Sequence, residues 1–177
     1  NNPPPQDPAP PEVGTVDRQL WEYKTGAARS TVDSVAGKAD TNGAVATALG
    51  RVLEQEKKYG DAEARLRKAT ELAPSDPAAF VYLGETLLRQ RKDGEADAAF
   101  RKAEELGRGG PGGEYYRGVA LQRLRRFDEA VQALENARNA DGGNALIPYQ
   151  IGVTRAFQEQ WQPAMDQLNR AIEMDSG

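Results

Sequence analysis

The chain has 177 residues, with 23 Lys and Arg against 27 Asp and Glu, and neither histidine nor cysteine. The missing imidazoles and thiols remove disulfides, thiolate nucleophiles, soft metal ligands and the usual general base. Acidic and basic residues are interspersed along a net charge of −4, which favours solubility and leaves no electrostatic footprint for nucleic acid. No apolar run approaches the roughly 20 residues of a membrane-spanning helix.

Residues 1–14, NNPPPQDPAPPEVG, predict an extended, polyproline-like segment with nothing apolar to bury. Two readings compete for it. It is either the tether behind a removed signal peptide or lipid-anchor sequence, which makes the protein periplasmic or otherwise exported, or an interdomain linker. The PxxP spacings Pro5/Pro8 and Pro8/Pro11 lack a basic flank, so a spacer fits better than a recognition motif.

Residues 15–42 predict a degenerate leading helical unit or a capping pair. Val16, Leu20 and Tyr23 line one helix and Ala28, Val32 and Val35 a second. From residue 43 a period of 34 takes over. Gly50, Gly84, Gly118 and Gly152 keep that spacing, as do Ala62, Ala96, Ala130 and Ala164. Leu66, Phe100, Leu134 and Leu168 follow in step, and then Ala69, Ala103, Ala137 and Ala171. A sustained period of this length marks stacked supersecondary units.

The spacing has a physical content. Leu83, Gly84 and Leu87 share one helix face, and Ala96, Phe100 and Ala103 share one face of a second helix. A glycine in mid-helix costs about 1 kcal/mol against alanine. Repeated at one phase, that cost predicts a neighbouring helix too close for a side chain. Ser75 and Asp76 before Pro77 read as a helix start, a capping residue followed by proline at the first helical position.

These residues resemble the tetratricopeptide repeat family, whose unit is a 34-residue helix–turn–helix. Units at 43–76, 77–110, 111–144 and 145–177 carry the matches, among them Tyr59, Pro74, Leu83, Phe127, Ile151 and Trp161. Asp93 and Arg155 depart from the aromatic and apolar residues usual at their positions. The resemblance implies an all-α fold, a right-handed superhelical solenoid of antiparallel helix pairs. It also implies a protein-binding scaffold rather than an enzyme, with no cofactor or metal, and with a protein as partner.

The residues themselves agree that catalysis is starved. The few serines have no imidazole to activate them. Glu54, Glu56, Asp61 and Glu63 alternate with Lys and Arg as on a solvated helix face. Gly107, Gly109 and Gly112 spell GxGxxG, but they follow a helix rather than a strand and read as a flexible inter-repeat loop. Arg117, Arg123, Arg125 and Arg126 are open to two readings, a local basic patch or a face paired with Glu129 and Glu135.

In the family, the first helix of each unit lines a concave surface. Carried over, the partner-binding positions are Arg51, Val81, Glu85, Leu88, Tyr115, Val119, Arg123, Tyr149, Val153 and Phe157. The carboxylate clamp for chaperone tails is not matched, because its positions hold Thr47, Arg51, Tyr82, Gly112 and Tyr116. The expected groove is polar at its N-terminal end and aromatic-aliphatic at its C-terminal end, suited to an extended or helical peptide segment of a partner within a multiprotein assembly. The competing reading of the rings is simple packing between helices.

Trp161, Met165, Leu168 and Ile172 leave an apolar edge on the last helix. Either further repeats follow it or it pairs with another copy, which makes homo-oligomerisation through the C-terminal end the alternative function. A docking domain of a larger enzyme is the third reading.

Overall fold

The computed structural model describes residues 8–109 and 112–175, and among them it contains α-helices, one short 3-10 turn and no strand. The chain divides into two compact units, residues 1–99 and 100–177. In the first unit, α1 (Pro11–Trp21) pairs with α2 (Thr25–Asp33) and α3 (Gly43–Gln55) with α4 (Tyr59–Leu72). Next come α5 (Pro77–Arg89), which packs on α4, and α6 (Asp93–Leu106), which crosses the division. The second unit continues with the pairs α7 (Gly113–Arg123) with α8 (Phe127–Ala140), and α9 (Leu146–Phe157) with α10 (Trp161–Asp175).

One turn recurs through both units. Tyr23, Lys57, Arg91, Arg125 and Glu159 all have φ between 56° and 62°, in the left-handed region, and each stands one repeat length from the next. After each of them a backbone N–H reaches back into the preceding helix: Lys24 to Gln19, Lys58 to Leu53, Lys92 to Leu87, Arg126 to Leu121 and Gln160 to Arg155. This is the Schellman closure, which satisfies carbonyls that the helix end would otherwise orphan. Holding a residue with a side chain there costs about 1–2 kcal/mol, so the tight reversal is imposed by the pairing of the helices around it.

The turn corrects the reading of the leading residues. Tyr23 does not continue the first helix; it is the exposed left-handed residue of the turn. The pair α1/α2 therefore closes like the later hairpins, and it shares a core with them. Val16, Leu20, Ala28 and Val32 lie in one buried cluster with Val45, Leu49 and Val52 of α3. Val35 is buried in the same cluster but lies beyond α2. Pro11–Gly14, expected to be extended, form the start of α1 with Pro11 at its first position. Residues 1–7 of the Pro-rich segment lie outside the described residues.

Gly50, Gly118 and Gly152 do what their spacing predicts. A Cβ on Gly50 would stand 2.6 Å from Leu66 Cγ, and one on Gly152 would stand 2.8 Å from Leu168 Cγ. The leading hairpin reaches the same end differently. Val16 replaces the glycine and Val32 the leucine, so volume is shared rather than concentrated on one side.

Asn42 caps α3 by accepting from the N–H groups of Ala44 and Val45, and Asp76 caps α5 by accepting from Ala78 N–H with Pro77 behind it. The glycine-rich stretch before α7 is tighter than a loose loop. Cβ atoms built on Gly107 or Gly113 would come within 2.6 and 2.8 Å of the other's backbone oxygen, so glycine at both positions brings the end of α6 against the start of α7. Gly109 and Gly112 have positive φ, while Gly110 and Pro111 lie outside the described residues.

Candidate partner-binding surface

In the first unit the predicted positions fall on α3 and α5. The Arg51 guanidinium lies 4.3 Å from the centroid of the Tyr82 ring and is ion-paired with Asp17, one repeat earlier. A cation stacked on one side and paired on the other is pinned, which ties α1, α3 and α5 together. Beside it, Glu54 accepts from Arg89 Nε at 3.2 Å. Burial raises the Glu54 carboxyl above its usual value, and Arg89 only partly offsets this. Glu85 is half-buried and Leu88 exposed. Val81 is 2% exposed.

In the second unit two helices present matching stripes. Positions 115, 119 and 123 follow one line along α7, and 149, 153 and 157 follow one along α9. Tyr115 is half-buried against the cluster of Leu134, Ala137, Ile147 and Ile151, with its ring edge-on to Tyr116 at 5.0 Å. Tyr149 and Val153 are half-buried and Arg123 is exposed. Phe157 is 54% exposed and stacks flat on Phe127, with centroids 5.7 Å apart and planes 9° apart. The Arg125 guanidinium lies 5.6 Å from the Phe127 ring.

Two of the predicted positions are not surface. Val81 and, at 4% exposure, Val119 are buried. Both are short side chains in mid-helix, covered by their surroundings, and neither is available to a ligand. Sequence phase alone places them on the lining; only packing shows that the lining is closed over them.

Three contacts escaped the sequence reading. Phe127 was assigned to the repeat pattern but also forms the second ring of the Phe157 stack. Tyr82 is the platform for Arg51. Gln122, 3% exposed, donates through Nε2 to Thr154 Oγ1 at 2.8 Å and to Gln150, while its Oε1 is buried without a hydrogen-bond partner. No local motif signals any of these, because each depends on a residue about one repeat away.

Two of the four clustered arginines, Arg117 and Arg126, are ion-paired. Glu104, with its side chain 10% exposed, lies within ion-pair reach of Arg108, Arg117 and Arg126. Arg126 also pairs with Glu129, Arg117 with Glu114, and Arg138 with Glu135. Among the described residues, no group of three or more carboxylates is placed to hold a metal ion, and no helix is long and apolar enough to cross a membrane.

Stacked helical hairpins of one repeat length, with small residues at their crossings, define a helical-repeat protein. Residues 47–111 match the family model described as Tetratricopeptide repeat. The repeat is a protein–protein interaction scaffold, and family members are generally non-catalytic. No curated protein is significantly similar in sequence. Among solved structures, pilF of Pseudomonas aeruginosa is 15% identical, with 90% of this chain and 74% of that one covered and a TM-score of 0.53. A chain of the APC/C hetero-tetramer Cut9–Hcn1 is 12% identical, with 91% and 31% covered and a TM-score of 0.63. YrrB, described as a TPR protein with an unusual peptide-binding site, is 22% identical over 94% and 86%, with a TM-score of 0.49. At these identities the likeness concerns the fold.

Proposed function

We propose that this protein is a non-catalytic scaffold that grips an extended or helical peptide segment of a partner protein, within a multiprotein assembly. The second unit supplies the anchor. One observation carries the reading: Phe157, a large apolar side chain, stays more than half exposed while stacked on Phe127. Rigid aromatic faces open to solvent, with arginine nearby, have the composition of binding hot spots. Tyr149 and Val153 extend the platform along α9, and Tyr115 and Arg123 flank it from α7. Arg51, Glu85 and Leu88 of the first unit make a second, more polar contact surface.

A peptide library selected against the protein tests this. Selected peptides should carry apolar or aromatic anchors and lose at least tenfold in affinity for a Tyr149→Ala/Phe157→Ala variant whose helicity is unchanged. Equal binding to that variant would remove the assignment. An exported location for the protein rests on the Pro-rich segment alone and is tested by fractionating cells that express the complete reading frame.

A further inference from the structure

Between α2 and α4 lies a cleft of about 580 Å³ that none of the peptide-contact residues lines. Leu49 and Leu53 of α3, both buried, give it an apolar wall. From α4 come Asp61, Ala64, Arg65 and Lys68, whose spacing sets them along one helix face, and from α2 comes Arg29. The repeat pattern explains why the cleft is there. One and two repeats later, the phase of Arg65 carries Ala99 and Ala133, both buried, so this unit has a long polar side chain where the others bury a small one. The next groove along is also bridged, by Arg67 of α4 paired with Glu95 of α6 at 2.5 Å. At the same two phases the leading groove has Asp33 and Asp61, like charges that cannot make that bridge.

We propose that this cleft binds a carboxylate carried on an aliphatic chain. Its walls select a single negative charge. Arg29 is already engaged: Nε and Nη2 donate to Glu56 at 2.8 Å each, and Nη1 donates to Asp33 at 3.1 Å. Arg65 and Lys68 are held differently. Arg65 donates through Nη1 to Asp40 and Lys68 donates to Glu71, and both acids are exposed and lie outside the cleft lining. Exposed pairs of this kind contribute little, so an incoming anion can compete for the cations. Set against Asp61, the two cations leave an excess of one positive charge, which one carboxylate matches and a phosphate dianion overshoots. The Nε–Nη2 edge of Arg65, which the bond to Asp40 does not use, has the fork geometry that takes both oxygens of a carboxylate. Leu49, Leu53 and Ala64 offer the apolar surface for the chain. The volume falls within the roughly 300–1,000 Å³ usual for small-ligand sites.

The cleft shares no residue with the peptide surface, so either can fail without the other. The test is calorimetric titration with octanoate below its micelle concentration, with the methyl NMR signals of Leu49 and Leu53 reporting where it binds. A carboxylate on an aliphatic chain comes either as a free small molecule or as the C-terminal residue of a peptide. An acetylated tripeptide ending in leucine, with a free carboxylate, is therefore titrated beside octanoate. Binding by either, with shifts at Leu49 and Leu53, is the expected result, and the tighter of the two names the source. Octanamide, acetate and inorganic phosphate, which lack the charge, the chain and the single charge on a chain respectively, should each bind at least tenfold more weakly. Arg65→Gln and Lys68→Gln keep side-chain length and remove charge; with helicity unchanged, each should lower the affinity at least tenfold. Three results would overturn the proposal: no shift at Leu49 and Leu53 with either probe, octanamide binding as tightly as octanoate, or undiminished affinity when both substitutions are combined.

Discussion

Gly118 on α7 faces Leu134 on α8 so closely that a Cβ on the glycine would stand 2.6 Å from Leu134 Cγ and 3.2 Å from the Ala130 carbonyl oxygen. The branch point of leucine cannot swing aside as a flexible chain end does. Overpacking here costs roughly 1–3 kcal/mol while removing a mid-helix glycine returns about 1 kcal/mol, so Gly118→Ala should lose about 1 kcal/mol net. Gly14 in α1 has nothing within 4 Å of its Cβ position. Gly14→Ala should instead gain about 0.5–1 kcal/mol. Urea unfolding of the two variants checks the pair, and equal signs would show that the close approach is not what selects glycine at residue 118.

Glu63 gathers a cross-repeat network, accepting from Lys92 and Gln90 on the stretch after α5 and from Arg67 on its own helix. The Lys92 bond foremost, with those of Gln90 and Arg67, pulls its carboxyl down to about 2 from an ordinary 4.5. A carboxyl lower in the folded than in the unfolded protein contributes stability that is complete above the unfolded value and is lost as pH falls through the folded one. Glu63→Gln should therefore be less stable than wild type at pH 7, with the deficit shrinking between pH 4.5 and 2. Glu56, held by Arg29 and Lys58 and likewise at about 2, should behave in the same way. Unfolding free energies across that range decide it; a deficit constant with pH would mean that lost packing, not lost charge, is responsible.

Gln122 spends a buried position on a polar group that is only half satisfied. Its Nε2 is well bonded, but its Oε1 has no partner, and Thr154 keeps its own bond to the Gln150 carbonyl at 2.7 Å without it. Leu88 occupies the same phase one repeat earlier. An unpaired buried acceptor costs about 1–3 kcal/mol, comparable with the bonds that would be lost. Gln122→Leu should thus fall within about 1 kcal/mol of wild type by urea unfolding. A loss well beyond that would mean that the amide network holds α7 to α9.

The period, the unit boundaries, the cap before Pro77 and the glycine crossings could be read from the residues, because each depends on neighbours a fixed number of positions away. The leading pair was harder. Val16 in place of glycine hides the repeat in the sequence, and only the left-handed turn at Tyr23 shows that the hairpin closes like the others. The candidate surface divides along the same line. Its phase on α7 and α9 follows from helical geometry, yet Val81 and Val119 prove buried while Phe157 stays exposed.

The sequence by itself determined that this chain builds helical hairpins of one length, with small residues where they cross. Repetition alone dictates this, since a fixed period fixes which faces are apolar. Only the tertiary structure decided which side chains on those faces remain open. Exposure belongs to no residue on its own, for it depends on how completely neighbours far along the chain close over it.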